Sequence, residues 1–175
     1  HCIIIQYDGE EPITIDCRGH QIINIKSPYF GKAIEQLRNT FNLDYPKIEV
    51  KNCYFKNFRL VLVLTGHNSI ISNNTFFGNE DAIYVRGSFF RQTENITIRD
   101  NKIKYSKRYA TPILLDLVSN VHLANNEICD PPDGSYDILC VDEVDNTFGS
   151  SKFYISNCLG IERLDCSLPI EKEMS

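Results

Sequence analysis

SIISNN, residues Ser69 to Asn74, is a phrase that the chain writes five times. IEVKNC (Ile48–Cys53) precedes it, and ITIRDN (Ile96–Asn101), VHLANN (Val121–Asn126) and FYISNC (Phe153–Cys158) follow. Each copy alternates apolar and polar residues, as a strand with one buried face does, and then closes on Asn or Asp and a final Asn or Cys. The closing residues are Cys53, Asn74, Asn101, Asn126 and Cys158, so the intervals run 21, 27, 25 and 32 residues. Self-similarity at 20 to 30 residues is the signature of a solenoid, whose repeats bury their apolar faces against one another.

The segments between copies follow one grammar. Two residues after each of the first four closing residues stands another apolar one: Phe55, Phe76, Ile103 and Ile128. A turn leads to a second strand at Leu60–Leu64, Ala82–Val85, Pro112–Leu117 and Ile138–Val141, and a turn with Gly66, Gly87 or Asn120 leads to the next copy. Two or three short strands per repeat without hairpin signals predict a right-handed parallel β-helix of about six coils, an all-β fold in a single domain. Its predicted parts are an N-terminal coil (1–25), an irregular coil with a loop (26–47), regular coils (48–158) and a C-terminal cap or tail (159–175). Within the irregular coil, Gly31–Leu37 is read as a strand and 38–46 as a loop. Insertions at 91–94, 106–111 and 131–136 belong on one face, where a solenoid carries recognition.

The totals narrow the function. A net charge of −5 and a pI near 5.4 argue against nucleic acid or an anionic membrane as the main partner, since both need a basic footprint. No apolar run approaches the roughly 18 residues of a membrane span. The chain opens on His1 and Cys2 rather than Met, which reads as a processed or trimmed chain whose targeting segment has gone. Seven cysteines, with the sequons Asn73-Asn74-Thr75 and Asn95-Ile96-Thr97, point to an extracellular or cell-surface setting and make Asn73 and Asn95 glycosylation candidates.

The opening, CIII (Cys2–Ile5) with ITIDCRGHQI (Ile13–Ile22), resembles the first coil of secreted right-handed parallel β-helix proteins, the NosD-like, carbohydrate-binding and sugar-hydrolase repeat family of the pectate-lyase-like superfamily. The likeness is close over residues 2–22, and the repeats extend it to about 158. It implies a Cys2–Cys17 disulfide. Cys53 and Cys158 share a column but lie four coils, about 19 Å, apart, too far to bridge. Cys129–Cys140 and Cys158–Cys166 close short local loops and are the expected pairs, which leaves Cys53 as the free thiol. With no CxxC pair, scattered histidines and a single methionine, zinc and copper are not expected.

The catalytic candidates are weak and all are carboxylates. Glu80-Asp81 precedes a buried strand, as an acidic pair does in β-helix hydrolases that cut pectin, yet the Asp, Gly-His-Gly and Arg-x-Lys that accompany it there are missing. A lyase would need a base and acidic ligands for Ca2+; Arg86, Asp116, Asp142, Glu143 and Asp145 share a face if the second strands stack in register, with Asp116 facing outward beside Tyr84 and Leu139. The Asn column reads as scaffold, because stacked amides bond along the stack and tolerate a left-handed corner. Tyr29, Phe30, Tyr54, Phe89, Phe90, Tyr105, Tyr109 and Tyr136 lie outside the core pattern and suit sugar stacking or a protein interface, or else the packing of loops back on the coil. The expected function is a non-catalytic module that binds glycans or assembles, through its open ends, with its own copies or neighbouring domains. A polysaccharide hydrolase or lyase and a purely structural stalk are the alternatives.

Overall fold

The computed structural model describes residues 2–5, 11–25, 31–37, 46–87, 93–105, 111–129, 138–142, 152–154 and 161–162. The described residues form strands and turns without a helix, hence with none long and apolar enough to cross a membrane. Three sheets run side by side. The seven-stranded sheet holds β1 (Ile3–Ile5), β4 (Lys32–Gln36), β7 (Leu60–Leu64), β10 (Asp81–Arg86), β13 (Ile113–Asp116), β16 (Ile138–Asp142) and β17 (Lys152–Tyr154). The five-stranded sheet holds β2 (Ile13–Asp16), β5 (Ile48–Lys51), β8 (Ile70–Ser72), β11 (Thr93–Arg99) and β14 (Val118–Ala124). The six-stranded sheet holds β3 (Gln21–Ile23), β6 (Tyr54–Lys56), β9 (Thr75–Asn79), β12 (Lys102–Tyr105), β15 (Asn126–Cys129) and β18 (Ile161–Glu162).

The chain visits the sheets in rotation, and each strand from β1 to β13 pairs in parallel with the one three places on. This is a parallel β-helix, and returning to the same sheet in parallel is right-handed in nearly every protein. The 31–37 segment is the strand β4, as its position in the repeat predicts, although its composition would also suit a helical turn. One expectation fails at the C-terminal side. Residues 152–154 do not continue the Asn-ended column of the five-stranded sheet; β17 pairs antiparallel with β16, Cys140 opposite Tyr154.

The core follows from the alternation. Ile34, Leu62, Ile83 and Ile113 stack in one inward row, Ile48, Val50, Ile71, Ile96 and Ile98 come from the second sheet, and Phe55, Phe76 and Ile103 from the third, all almost wholly buried. Phe55 and Phe76 stack with centroids 5.4 Å apart. Two corners require glycine: a Cβ on Gly66 would come within 2.2 Å of the Pro46 carbonyl oxygen, and one on Gly87 within 2.2 Å of the Leu117 carbonyl oxygen.

Asparagine makes the other corners. Asn52, Asn73, Asp100 and Asn125 all adopt left-handed backbone, φ 52 to 56°, between the five- and six-stranded sheets. The next residue turns inward: Cys53, Asn74, Asn101 and Asn126 are buried. Asn101 Oδ1 accepts the backbone N–H of Asn74 (3.0 Å), while its Nδ2 donates to the Ile71 carbonyl (3.0 Å); Asn126 serves Asn101 and Ile98 likewise, and Asn74 serves Cys53 and Val50. Buried corner groups thus obtain partners that water cannot supply. A second ladder runs outside, Asn73 to Asn52 to Asp16, and a third links Asn120, Asn95 and Asn68. The column is scaffold, as the sequence implies.

The disulfide expectation is corrected. Cys17 bonds to Cys53, whose Cα atoms lie 4.8 Å apart, and Cys2 is an exposed free thiol. Cys2 precedes β1 in the seven-stranded sheet, whereas Cys17 closes β2 in the five-stranded one, next to the corner that Cys53 occupies one coil on. The bridge therefore runs between coils, and Cys53 is not the free thiol. Cys158 and Cys166 lie outside the described residues, and the Cys129–Cys140 pairing falls on side chains that are likewise outside them.

Candidate functional site

The outward face of the seven-stranded sheet gathers the candidate residues. In β10 the inward residues Ile83 and Val85 alternate with Tyr84 and Arg86, and register sets Tyr84 beside Leu114 and Arg86 beside Asp116. The Tyr84 hydroxyl donates to Asp116 Oδ2 at 3.1 Å, and the Arg86 guanidinium carbon lies 5.9 Å from the centre of the Tyr84 ring. Arg86 Nε is buried without a hydrogen-bond acceptor. Burial, then the charge and hydrogen bond of Asp116, push the Tyr84 hydroxyl above its ordinary pKa, and the nearby Arg86 opposes this less strongly. The hydroxyl is therefore protonated at neutral pH and acts as a donor, not a base. A phenol, a carboxylate and a guanidinium converging on one face can take up the donors and acceptors of a polyhydroxylated ligand, with the ring as an apolar platform.

Asp116 faces outward as its alternation predicts, but two residues out of the expected register. Leu139 pairs with Leu114, and Asp116 stands opposite Val141, while the tyrosine reaches diagonally to it. Asp142 is the last residue of β16, its side chain outside the described set, as are Glu143 and Asp145 entirely. Among the described residues no three His, Cys, Asp or Glu gather into a metal site.

The Glu80–Asp81 pair splits between two structural tasks. Asp81 Oδ1 accepts the backbone N–H of Thr111, one coil on, at 2.9 Å, and burial holds its carboxyl above the ordinary range, more than that hydrogen bond lowers it. Glu80 faces Arg59 at 3.8 Å, and the arginine is 60% exposed. Asp81 thus carries a backbone contact between coils. The glycosylation candidates Asn73 and Asn95 are exposed at left-handed corners, with both side-chain amides donating within the outer ladders.

Of the aromatics outside the core pattern, Tyr54 is buried, at 4% exposure; the others fall on residues or side chains outside those described. The sequence reading passed over Phe77, which belongs to an outward column of the six-stranded sheet, Ile23–Lys56–Phe77–Lys104. Lys56 Nζ stands 5.0 Å from the Phe77 ring centre. The signal was there, since a residue next to an inward Phe76 must point outward, but only coil-to-coil register places the lysines on either side of it.

No curated protein and no solved structure matches the chain. The family described as the right-handed beta helix region matches residues 5–158. That span runs from the end of β1 to the last of the five repeated phrases and agrees with the rotation through three sheets of parallel strands, so the chain belongs to the right-handed β-helix family.

Proposed function

We propose that this chain is a non-catalytic β-helix module, working outside the cytoplasm, that binds polysaccharide on the outward face of its seven-stranded sheet. The observation that carries the reading is the Tyr84–Asp116–Arg86 cluster, three polar groups of different chemistry held on rigid neighbouring strands. Binding fits better than hydrolysis, because the acidic pair Glu80–Asp81 has its Asp engaged with the Thr111 backbone. The Cys17–Cys53 bridge supports an oxidising compartment. The test is a polysaccharide array and calorimetry with the wild type, Tyr84→Phe and Asp116→Ala. Each variant should weaken binding by about tenfold, the equivalent of one lost hydrogen bond to a charged group. A wild type that binds no glycan, or variants that bind as well as it does, would sink the reading, and release of reducing or unsaturated ends would favour the hydrolase or lyase alternative.

A second observation favours assembly as an additional role. In the first coil the inward residues Ile3, Ile13, Ile15 and Ile22 are only partly buried, whereas those they pair with, Ile34, Ile48, Val50 and Phe55, are fully buried. β1, β2 and β3 are each the edge of their sheet. A further layer of strands from a second copy would pair all three edges and bury this apolar ring. Light scattering over a concentration series should show association that Ile15→Lys abolishes; a monomer throughout removes the idea.

A further inference from the structure

Among the described residues, two buried side-chain polar atoms lack a hydrogen-bond partner, Thr65 Oγ1 and Arg86 Nε. Folded interiors rarely leave such groups unpaired, and these two are neighbours. Thr65 follows Leu64 and Arg86 follows Val85, which pair in register. The Thr93 hydroxyl joins them, 3.1 Å from the Thr65 carbonyl oxygen and 3.0 Å from that of Arg86. Leu64 and Val85 are fully buried in the core, so alternation turns Thr65 and Arg86 to the outer face, one strand spacing or about 4.8 Å apart. Thr65 is nevertheless only 2% exposed. The backbone behind both is fixed, since a Cβ at Gly66 or Gly87 would strike a carbonyl oxygen.

Asp116 is the third member of this row, directly opposite Arg86 on β13. Its carboxylate is the natural partner of the guanidinium, yet it accepts the Tyr84 hydroxyl at 3.1 Å. That bond draws the carboxylate toward Tyr84 and leaves the Arg86 Nε–H without an acceptor. Arg86 Nε can only donate, and the Thr65 hydroxyl can donate too, so one acceptor group between them satisfies both. The guanidinium selects a negative charge, and the enclosure of both atoms keeps its bearer small. The Asp116 charge one strand away favours a singly charged group over a doubly charged one.

We infer that Thr65 and Arg86 form a binding site for a small, singly charged carboxylate, with Tyr84 as the positioning residue that keeps Asp116 from taking its place. The Arg86 guanidinium donates to the carboxylate through its Nε edge, and the Thr65 hydroxyl donates to the same group. The site adjoins the Tyr84–Asp116–Arg86 cluster but does not rest on that cluster binding polysaccharide. Thr65 has no part in that reading, and Asp116 enters here as a competitor rather than a contact.

Acetate titrated into the isotope-labelled full chain at constant ionic strength, followed by NMR, tests this. The Arg86 Nε–H resonance and the Gly66 and Gly87 amides should shift and saturate, with a Kd on the order of 1 mM. Arg86→Lys keeps the charge but loses the Nε–H, and should bind about tenfold more weakly. Thr65→Val should weaken binding several-fold yet melt no lower than wild type, because the hydroxyl it removes has no partner in the protein. Tyr84→Phe should weaken binding, Tyr84→Phe/Asp116→Asn should restore it, and Asp116→Asn alone should tighten it. An Arg86 Nε–H that does not respond to acetate overturns the site, as does a Thr65→Val variant that melts clearly below wild type. Chloride that competes with acetate on equal terms, or phosphate that binds more tightly, overturns the ligand class. A double variant that binds no better than Tyr84→Phe overturns the positioning role. Acetate binding by a chain that takes no polysaccharide would support this site while sinking the glycan reading.

Discussion

Cys17 and Cys53 lie on neighbouring coils with their Cα atoms 4.8 Å apart, the spacing of adjacent strands, so their bond fastens the first coil to the second. It closes a loop of 36 residues. Loop-closure entropy for that length amounts to about 4 kcal/mol, an upper figure for what the bond contributes. Reduction, or Cys17→Ala/Cys53→Ala, should lower stability by about 2–4 kcal/mol in urea denaturation. Hydrogen exchange should show the loss first in Ile13–Asp16 and Gln21–Ile23; uniform exchange through the later strands would contradict this.

The Asn101 side chain makes four hydrogen bonds in the buried column, accepting from the Asn74 backbone and side chain and donating to Ile71 and Asn126. Asn101→Ala leaves a buried N–H and a buried C=O without partners, which should cost about 2–4 kcal/mol. Asn101→Asp keeps an acceptor for Asn74 but sets a carboxylate against the Ile71 carbonyl, and should be at least as harmful at neutral pH. A loss below about 0.5 kcal/mol for the Ala variant, the size of an ordinary surface change, would show that the column is dispensable.

The Asp81 carboxyl titrates above its ordinary 3.8, chiefly through burial. A raised acid ionises first in the unfolded chain, so its ionisation favours unfolding as pH climbs from the unfolded value to the folded one, and the penalty persists above that. Asp81→Asn keeps an oxygen for the Thr111 N–H and removes the charge. It should therefore equal or exceed the wild type in melting temperature at neutral pH, whereas Asp81→Ala should lose about 1 kcal/mol. An Asn variant clearly less stable than wild type at neutral pH, yet matching it below pH of about 3.8, would reverse the sign argued here.

Asp16 and Asp100 behave oppositely. The side-chain amide of Asn52 first, and the Arg18 backbone N–H second, hold Asp16 below 3.8; the amide of Asn125 and then Arg99 do so for Asp100. A depressed carboxyl contributes stability above its unfolded pKa and loses it as pH falls through the folded value. Melting temperature should hold down to about pH 4 and fall below it, and the fall should be smaller in Asp16→Asn/Asp100→Asn, whose amides no longer titrate. Identical acid profiles for the two proteins would assign the acid sensitivity to other groups.

Asn73 and Asn95 already donate their side-chain amides to Asn52 and Asn68. A glycosylated amide keeps one N–H, so a glycan added before folding is compatible with the ladder. Expression in a glycosylating secretory host should give a mass increase removed by peptide-N-glycosidase. The folded, unglycosylated chain offered to the transferase in vitro should stay unmodified while the unfolded chain is accepted. Equal modification of both would show that the ladder does not restrain these amides.

The solenoid was legible because each strand's alternation and each corner's Asn obey local physics: one face must be buried, and Asn tolerates a left-handed backbone. Cysteine pairing was not, because coils differ in corner length. Four residues, Cys17 to His20, separate Asp16 from Gln21, whereas only Asn52 and Cys53 separate their counterparts Lys51 and Tyr54. Counting along the chain hides that Cys17 lies beneath Cys53. Outward sites suffered the same difficulty. Lys56, Phe77 and Lys104 are 21 and 27 positions apart and become neighbours only through coil-to-coil register. Asp116 was placed on the right face from its own strand, yet its contact with Tyr84 depended on an offset that no single strand encodes.

The buried amide column has a direction. Asn74 provides for the corner of Cys53 and Val50, Asn101 for that of Asn74 and Ile71, and Asn126 for that of Asn101 and Ile98. Each turn of the solenoid is completed by the one that comes after it. Shortening the chain from its end removes the side chain that serves the backbone N–H and C=O of the corner before it, whereas shortening it from its beginning takes no such partner from the corners that remain.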